Sequence, residues 1–273
     1  MRRLMRVSFT KMHGLGNDFA VLDARDRALP ALDAPRVVAI ADRNTGIGCD
    51  QLIVLEPSDR ADFRMRIYNH DGSEVGACGN ATRAVAILHG REARIETAGG
   101  FIVASPGAGG ASVDMGAPRF DWDAIPLAYP MDTLAMPLSW EMLTNPGAVN
   151  VGNPHVVFFT DDCAAAPLDR LGPDIENDPL FPERINVNVA TIESRVRIRL
   201  RVWERGAGLT RACGTGACAT AVHAIRRKLV DSPVTVALPG GELEIAWQQG
   251  GPIRMTGPAT ESFRGSFEWD DFS

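Results

Sequence analysis

Two stretches of this chain repeat each other: "ACGNATRAVA", residues 77–86, and "ACGTGACATA", residues 212–221. Their cysteines, Cys78 and Cys213, lie 135 positions apart. The same offset carries Gln51 in "GCDQLIVL" onto Asn186 in "RINVNVATI", and Asn69 in "RIYNHDGSE" onto Glu204 in "RVWERGAGLT". One further residue of offset carries Asn17 in "HGLGNDFAVLD" onto Asn153 in "VGNPHVVFF". Downstream, "TAGGFIVAS" is matched by "LPGGELEIA". Ordered recurrence of this kind marks two copies of one unit, and it restricts the chain to folds built of two similar halves.

Each half reads as mixed α/β. Runs such as "VSFTKMH", "FAVLDA", "QLIVLE", "FRMRIY", "ARIETA" and "FIVAS" predict strands in the first, as do "HVVFFT", "RVRIRLRVW", "VTVAL" and "LEIAW" in the second. After each Cys-Gly step comes a helical run of small and apolar residues, "NATRAVAILHG" and "TGACATAVHAIRRKLV". Gly90 can end the first helix, and Arg226, Arg227 and Lys228 suit the C-terminal dipole of the second. Helices so rich in alanine and glycine are expected to be packed on every side. The expected fold is α/β (α+β), with two pseudo-symmetric domains, each a curled, mostly antiparallel sheet or barrel around a central helix. Residues 1–118 form the half carrying Cys78 and residues 119–257 the half carrying Cys213. "APRFDWDAIPLAYP", residues 117–130, reads as the linker.

A cysteine where a loop becomes a helix has chemical consequences. The first amide N–H groups have no intrahelical partner and lie at the positive end of the dipole. They favour a thiolate over a thiol and can seat a carboxylate. Gly79 and Gly214 leave the backbone open to a ligand. With the two halves face to face, the thiols are expected on opposite sides of one ligand. One thiolate then removes a proton from a carbon and the opposite thiol returns one, which inverts that carbon by paired acid–base work. Asn17, Gln51, Asn69, Asn153 and Asn186 recur around the thiols and suggest a polar pocket.

Other classes fit poorly. With 28 basic and 34 acidic residues, the net charge is −6, and no basic block calls for nucleic acid. No apolar run approaches the ~20 residues of a membrane span, and "MRRLMRVSFT" lacks the apolar core of a signal peptide, so a cytoplasmic location is expected. Five cysteines, at 49, 78, 163, 213 and 218, make an odd set with no C-x-x-C pair, and the five histidines are scattered. Neither a disulfide framework nor a metal site is expected. Cys49, Cys163 and Cys218 read as buried small hydrophobes, His155 as a structural residue.

"KMHGLGNDF", "GCDQL", "NHDGSE…CGN", "GNPH", "ERINV" and "WERGAGLTRACGTGACA" together resemble the diaminopimelate epimerase family over residues 11 to about 220. The resemblance implies interconversion of LL- and meso-diaminopimelate, in lysine and peptidoglycan-precursor synthesis, with neither pyridoxal phosphate nor metal. It implies Cys78 and Cys213 as the acid/base pair, with Gly79-Asn80 and Gly214-Thr215 on the reacting carboxylate. Asn69, Asn153, Asn186, Glu204 and Arg205 would read the distal amino acid end, with Asn17 and Gln51 also lining the site. A homodimer, and a return of residues 258–273 to the first half, are implied likewise. The sequence departs from the family after Cys-Gly-Asn: Ala81, Thr82, Arg83 and Ala84 stand where Gly-Ala-Arg-Cys is usual. A related two-cysteine proline or hydroxyproline epimerase is the rival substrate class. A redox-switch binding protein, with Cys78 and Cys213 joined by oxidation, is the rival from outside enzymology.

Overall fold

The computed structural model describes residues 5–272. The chain divides into two compact units: residues up to Val113 together with those from Gly257 onward, and Asp114–Thr256.

In the first unit, Arg6–Gly14 and Asn17–Asp23 form an antiparallel hairpin. Its two-residue loop, Leu15-Gly16, has positive φ at both positions (57° and 90°), the geometry that suits the twist of a tight hairpin. Helix α1 (Ala34–Ala41) follows, capped by the Asp33 side chain, which accepts from the Arg36 N–H at 3.0 Å. It is the crossover that lets Gln51–Glu56 lie parallel to Asn17–Asp23, since parallel neighbours cannot be joined by a hairpin. Phe63–Asn69 returns antiparallel to Gln51–Glu56. A second crossover, through helix α2 (Gly79–His89), sets Ala93–Thr97 parallel to Phe63–Asn69. Gly100–Gly107 and Gly110–Asp114 complete an antiparallel meander. The late strand Thr260–Glu268 pairs antiparallel with Arg6–Gly14 and covers its free edge.

The second unit repeats this order. Gly147–Asn150 pairs antiparallel with Pro154–Phe159. Helix α3 (Leu168–Glu176) crosses over to the parallel strand Asn186–Ser194, and Arg197–Glu204 returns antiparallel. Helix α4 (Gly214–Arg226) crosses over to Val234–Leu238, parallel to Arg197–Glu204. Gly241–Ala246 and Arg254–Gly257 then form the meander. The repeat in sequence is thus a repeat in strand order and direction, with two parallel pairs in each otherwise antiparallel unit.

Helices α2 and α4 occupy the interior of their units, as their composition demands. Asn80 through Ala86 of α2 and Gly216 through Ala224 of α4 are buried. Small residues let strands approach these helices closely. A Cβ added to Gly147 would overlap the ring of His223 on α4, so only glycine fits that strand position. Ala81 and Ala84, which depart from the family pattern, lie fully buried within α2, and the Thr82 hydroxyl donates back to the Cys78 carbonyl at 2.9 Å.

One expectation needs correction. Residues 117–130 are no free linker: Ile125 and Leu127 are buried in the second unit's core beside Met136, Phe158 and Phe181, and Arg119 bridges to Asn150. Apolar residues spaced through a Pro- and Asp-rich stretch bury themselves without any regular period. The crossover helices α1 and α3, only 8 and 9 residues long and with Pro173 inside α3, carry too short a period to show in the sequence.

The Gly147–His223 approach yields a stability test. Gly147→Ala is expected to destabilise the protein by roughly 1–3 kcal/mol or more, as overpacking does. Gly107→Ala, at a position with nothing within 4 Å of the added carbon, should stay within about 0.5 kcal/mol of wild type. Chemical denaturation of both variants provides the check.

Candidate active site

Cys78 and Cys213 are the N-cap residues of α2 and α4, with extended backbones (φ −149°, ψ 110° and φ −125°, ψ 109°). Gly79 and Gly214 are the first residues of those helices. Each cap opens a crossover helix that follows a long strand and its short antiparallel return, Glu74–Val75 in one unit and Gly208–Thr210 in the other, so the thiols follow from topology as much as from local sequence.

Around Cys78, the Sγ lies 3.8 Å from Asn17 Oδ1, and Asn80 Nδ2 donates to the same oxygen at 3.2 Å. Asn17 Nδ2 donates to Asp50 Oδ2 at 3.0 Å. Gln51 and Asn69 face one another across paired strands, Gln51 Nε2 donating to Asn69 Oδ1 at 3.0 Å. Asn69 also donates to Ser73 Oγ. The first unit thus brings Asn17, Asn80 and Cys78 into one hydrogen-bonded group, and Gln51 with Asn69 into a second.

Beneath the first group lies a charged network. Asp18 accepts from Lys11 (2.5 Å) and Arg43 (2.6 Å), and Arg43 also reaches Asp50 at 2.7 Å. Burial pushes the Asp18 carboxyl up, but Arg43 and Lys11 outweigh it and hold the group well below the usual carboxylate range. Lys11 donates to the Gly48 carbonyl as well.

Around Cys213, the Gly216 N–H donates to Sγ at 3.3 Å and Thr215 Oγ1 lies 3.5 Å away. The expectation of an easily ionised thiol fails here. Burial raises the Cys213 pKa well above its ordinary value, and the neighbouring Glu204 carboxylate raises it further; the helix-start donors oppose this and lose. Glu204 is held by the Thr210 hydroxyl at 2.6 Å. Asn186 Nδ2 donates to the Pro154 carbonyl (2.8 Å), and its Oδ1 accepts the Arg205 backbone N–H (3.0 Å). The Arg205 guanidinium donates to the Glu183 carbonyl at 2.8 Å.

Asn153 is oriented through a buried imidazole. Asn188 Nδ2 lies 3.0 Å from His155 Nδ1, and His155 Nε2 lies 2.9 Å from Asn153 Oδ1. Since Asn188 Nδ2 can only donate, Nδ1 accepts and Nε2 carries the proton toward the Asn153 oxygen. Complete burial is the largest cause that lowers the His155 pKa to about 3. Gly216 belongs here too: an added Cβ would lie 2.7 Å from Asn188 Oδ1.

Sequence reasoning missed Asp50, Arg83, Asn188 and Gly216. Two signals were available. Asp50 directly precedes Gln51 in "GCDQL", and Arg83 is the one charge in the otherwise small or apolar run "NATRAVAIL". The other three cysteines are buried, as read; burial pushes the Cys49 thiol up to about 11. No described helix is long and apolar enough to cross a membrane.

The family model for diaminopimelate epimerase matches residues 9–120 and 147–261. A diaminopimelate epimerase of Erythrobacter litoralis is 66% identical over 269 residues, spanning 98% of this chain and 100% of that protein. Another, from Rhizorhabdus wittichii, is 67% identical over 259 residues, spanning 95% and 94%. Among solved structures, a phenazine biosynthesis protein of the PhzF family from Enterococcus faecalis superposes with TM-score 0.71 at 14% identity, over 96% of this chain and 99% of that one. A hydroxyproline epimerase from Agrobacterium vitis gives 0.66 at 14%, over 98% and 94%. At such identities the structures establish the fold.

His155 and His223 generate a pH prediction. Burial lowers His223 to about 3 as well, with Arg227 and Arg226 adding to the effect. An unfolded histidine binds its proton near pH 6.5, whereas these bind only near 3, so the unfolded state holds more protons in between. Stability is therefore full above pH ~6.5 and falls on acidification, approaching about 2.7 kcal/mol per pH unit for two such groups near pH 5. Urea denaturation at pH 7.5, 6.0 and 5.0 checks both sign and slope.

Proposed function

Since this chain belongs to the diaminopimelate epimerase family, we propose that it interconverts LL- and meso-diaminopimelate, with Cys78 and Cys213 as the acid/base pair. The observation that carries the reading is the duplication of one device. Each unit caps a buried crossover helix with a cysteine and starts that helix with glycine. A reaction that inverts a carbon needs two acid/base groups, one for each face, and a duplicated fold supplies two.

In the proposed reaction one cysteine, as thiolate, takes the α-proton and the other, as thiol, delivers a proton to the opposite face. Gly79-Asn80 and Gly214-Thr215 offer helix-start N–H groups to the α-carboxylate, where negative charge grows as the carbon–hydrogen bond breaks. Burial and Glu204 keep Cys213 protonated in the free protein. Substrate brings an α-ammonium group, and a cation beside the sulfur offsets both effects. Ionisation of Cys213 then accompanies binding instead of preceding it. Asn69, Asn153, Asn186, Glu204 and Arg205, with Asn17 and Gln51, are the residues proposed to bind the rest of the substrate. The proton transfers use the two thiols and call for neither pyridoxal phosphate nor metal. A cytoplasmic homodimer acting in amino acid biosynthesis is part of the same proposal.

Proton NMR in D2O tests it directly, using reduced protein with LL-diaminopimelate, L-proline and trans-4-hydroxy-L-proline in parallel. The expected result is loss of the α-proton signal for diaminopimelate alone, with the meso isomer appearing. Exchange with an imino acid instead would keep the two-thiol chemistry and replace the substrate; no exchange with any would defeat the enzymatic reading. Cys78→Ala and Cys213→Ala are each expected to lower epimerisation by about 10²–10⁴-fold or more while remaining folded. Near-normal turnover by either would remove that cysteine from the mechanism.

A further inference from the structure

Near Cys78 the hydrogen bonds run in a line whose direction is set at both ends. At one end stands Arg83, fully buried, whose Nη2 donates to Asn80 Oδ1 at 2.8 Å. A guanidinium has no acceptor, so Asn80 must turn its oxygen toward Arg83 and its nitrogen away. At the other end stands Asp50, held by Arg43 at 2.7 Å and by the Asp18 N–H at 3.0 Å. An ionised carboxylate has no donor, so Asn17 must turn its nitrogen toward Asp50 and its oxygen away. The two amides then meet in the only consistent way, Asn80 Nδ2 donating to Asn17 Oδ1 at 3.2 Å. The same oxygen lies 3.8 Å from the sulfur, where it accepts from the Cys78 S–H.

We propose that Asp50 and Arg83 are positioning residues: by locking the Asn17–Asn80 amide pair from its two ends, they present an acceptor to Cys78 and keep that sulfur a thiol in the free protein. An amide oxygen stabilises S–H and opposes S⁻, whereas a flipped amide would offer its NH2 group and favour the thiolate. Asn17 has a chemically defined polarity because ions, and not other amides, close the chain. The inference rests on the role proposed above for Cys78.

Alkylation of Cys78 by neutral iodoacetamide at fixed, near-neutral pH, followed by mass spectrometry of the peptide carrying it, reads the thiolate fraction without any substrate. Its outcome is therefore separable from that of the deuterium exchange experiment. Asn17→Leu removes the acceptor and leaves every charge in place. Asp50→Asn opens the lock, and the double variant Asn17→Asp/Asp50→Asn exchanges the two groups and again turns an acceptor toward sulfur. The first two are expected to alkylate at least about 3-fold faster than wild type and the double variant no faster than wild type. Unchanged rates in Asn17→Leu would overturn the proposal, attributing any effect of Asp50→Asn to lost charge alone. So would a wild-type rate in Asp50→Asn, or a double variant as fast as Asp50→Asn. The variants make separate demands, so loss of folding in one leaves the others decisive.

Discussion

Parallel pairing is the constraint from which the rest of this structure follows. Phe63–Asn69 lies parallel to Ala93–Thr97, and Arg197–Glu204 to Val234–Leu238. Parallel neighbours need a crossover, and here each crossover is a buried helix. A helix inside a sheet must be narrow, which selects alanine and glycine for α2 and α4. Its first N–H groups lack intrahelical partners and must find others at the very point where the chain enters the crossover. Cys78, Cys213 and the glycines after them stand at that point.

Much of this was legible in the sequence, for physical reasons that differ by residue. The repeat in "ACGNATRAVA" and "ACGTGACATA" announced two similar units, and alanine-rich runs after Cys-Gly announced central helices. Alternating runs such as "FRMRIY" announced strands buried on one face. The stretch around Ile125 and Leu127 was not legible, since irregular backbone buries side chains without a period to betray it. Nor was the state of Cys213. A helix start favours thiolate, and that much is local; burial and Glu204 oppose it, and they are tertiary. Helix-dipole effects of about 0.3–1 kcal/mol at accessible sites cannot outweigh the desolvation of a buried charge.

The polar groups around the cysteines follow one rule. Amides can present either end to a neighbour, so their orientation carries information only when something with a single polarity fixes it. Asp50 does this for Asn17, Arg83 for Asn80 and the Asn188-held His155 for Asn153. Each anchor lies one step from a cysteine or from a residue proposed to bind substrate. Sequence comparison of the two halves finds Asn17 with Asn153 and Gln51 with Asn186, because they recur. It does not find the anchors, because Asp50, Arg83 and His155 come from different elements and serve different partners.

The edge strand Thr260–Glu268 gives the two units unequal histories during folding. The second unit is one continuous stretch, and its strands pair over far shorter separations. The first begins with Arg6–Gly14 but leaves that strand's outer edge without its partner until residues 260–268 return to it. Their pairing joins positions more than 240 apart, among the most distant in the chain, and such closures come late in folding. Until that closure the Cys78 unit exposes an open sheet edge, the kind of surface on which chains aggregate or meet chaperones, while the Cys213 unit depends on no segment so distant.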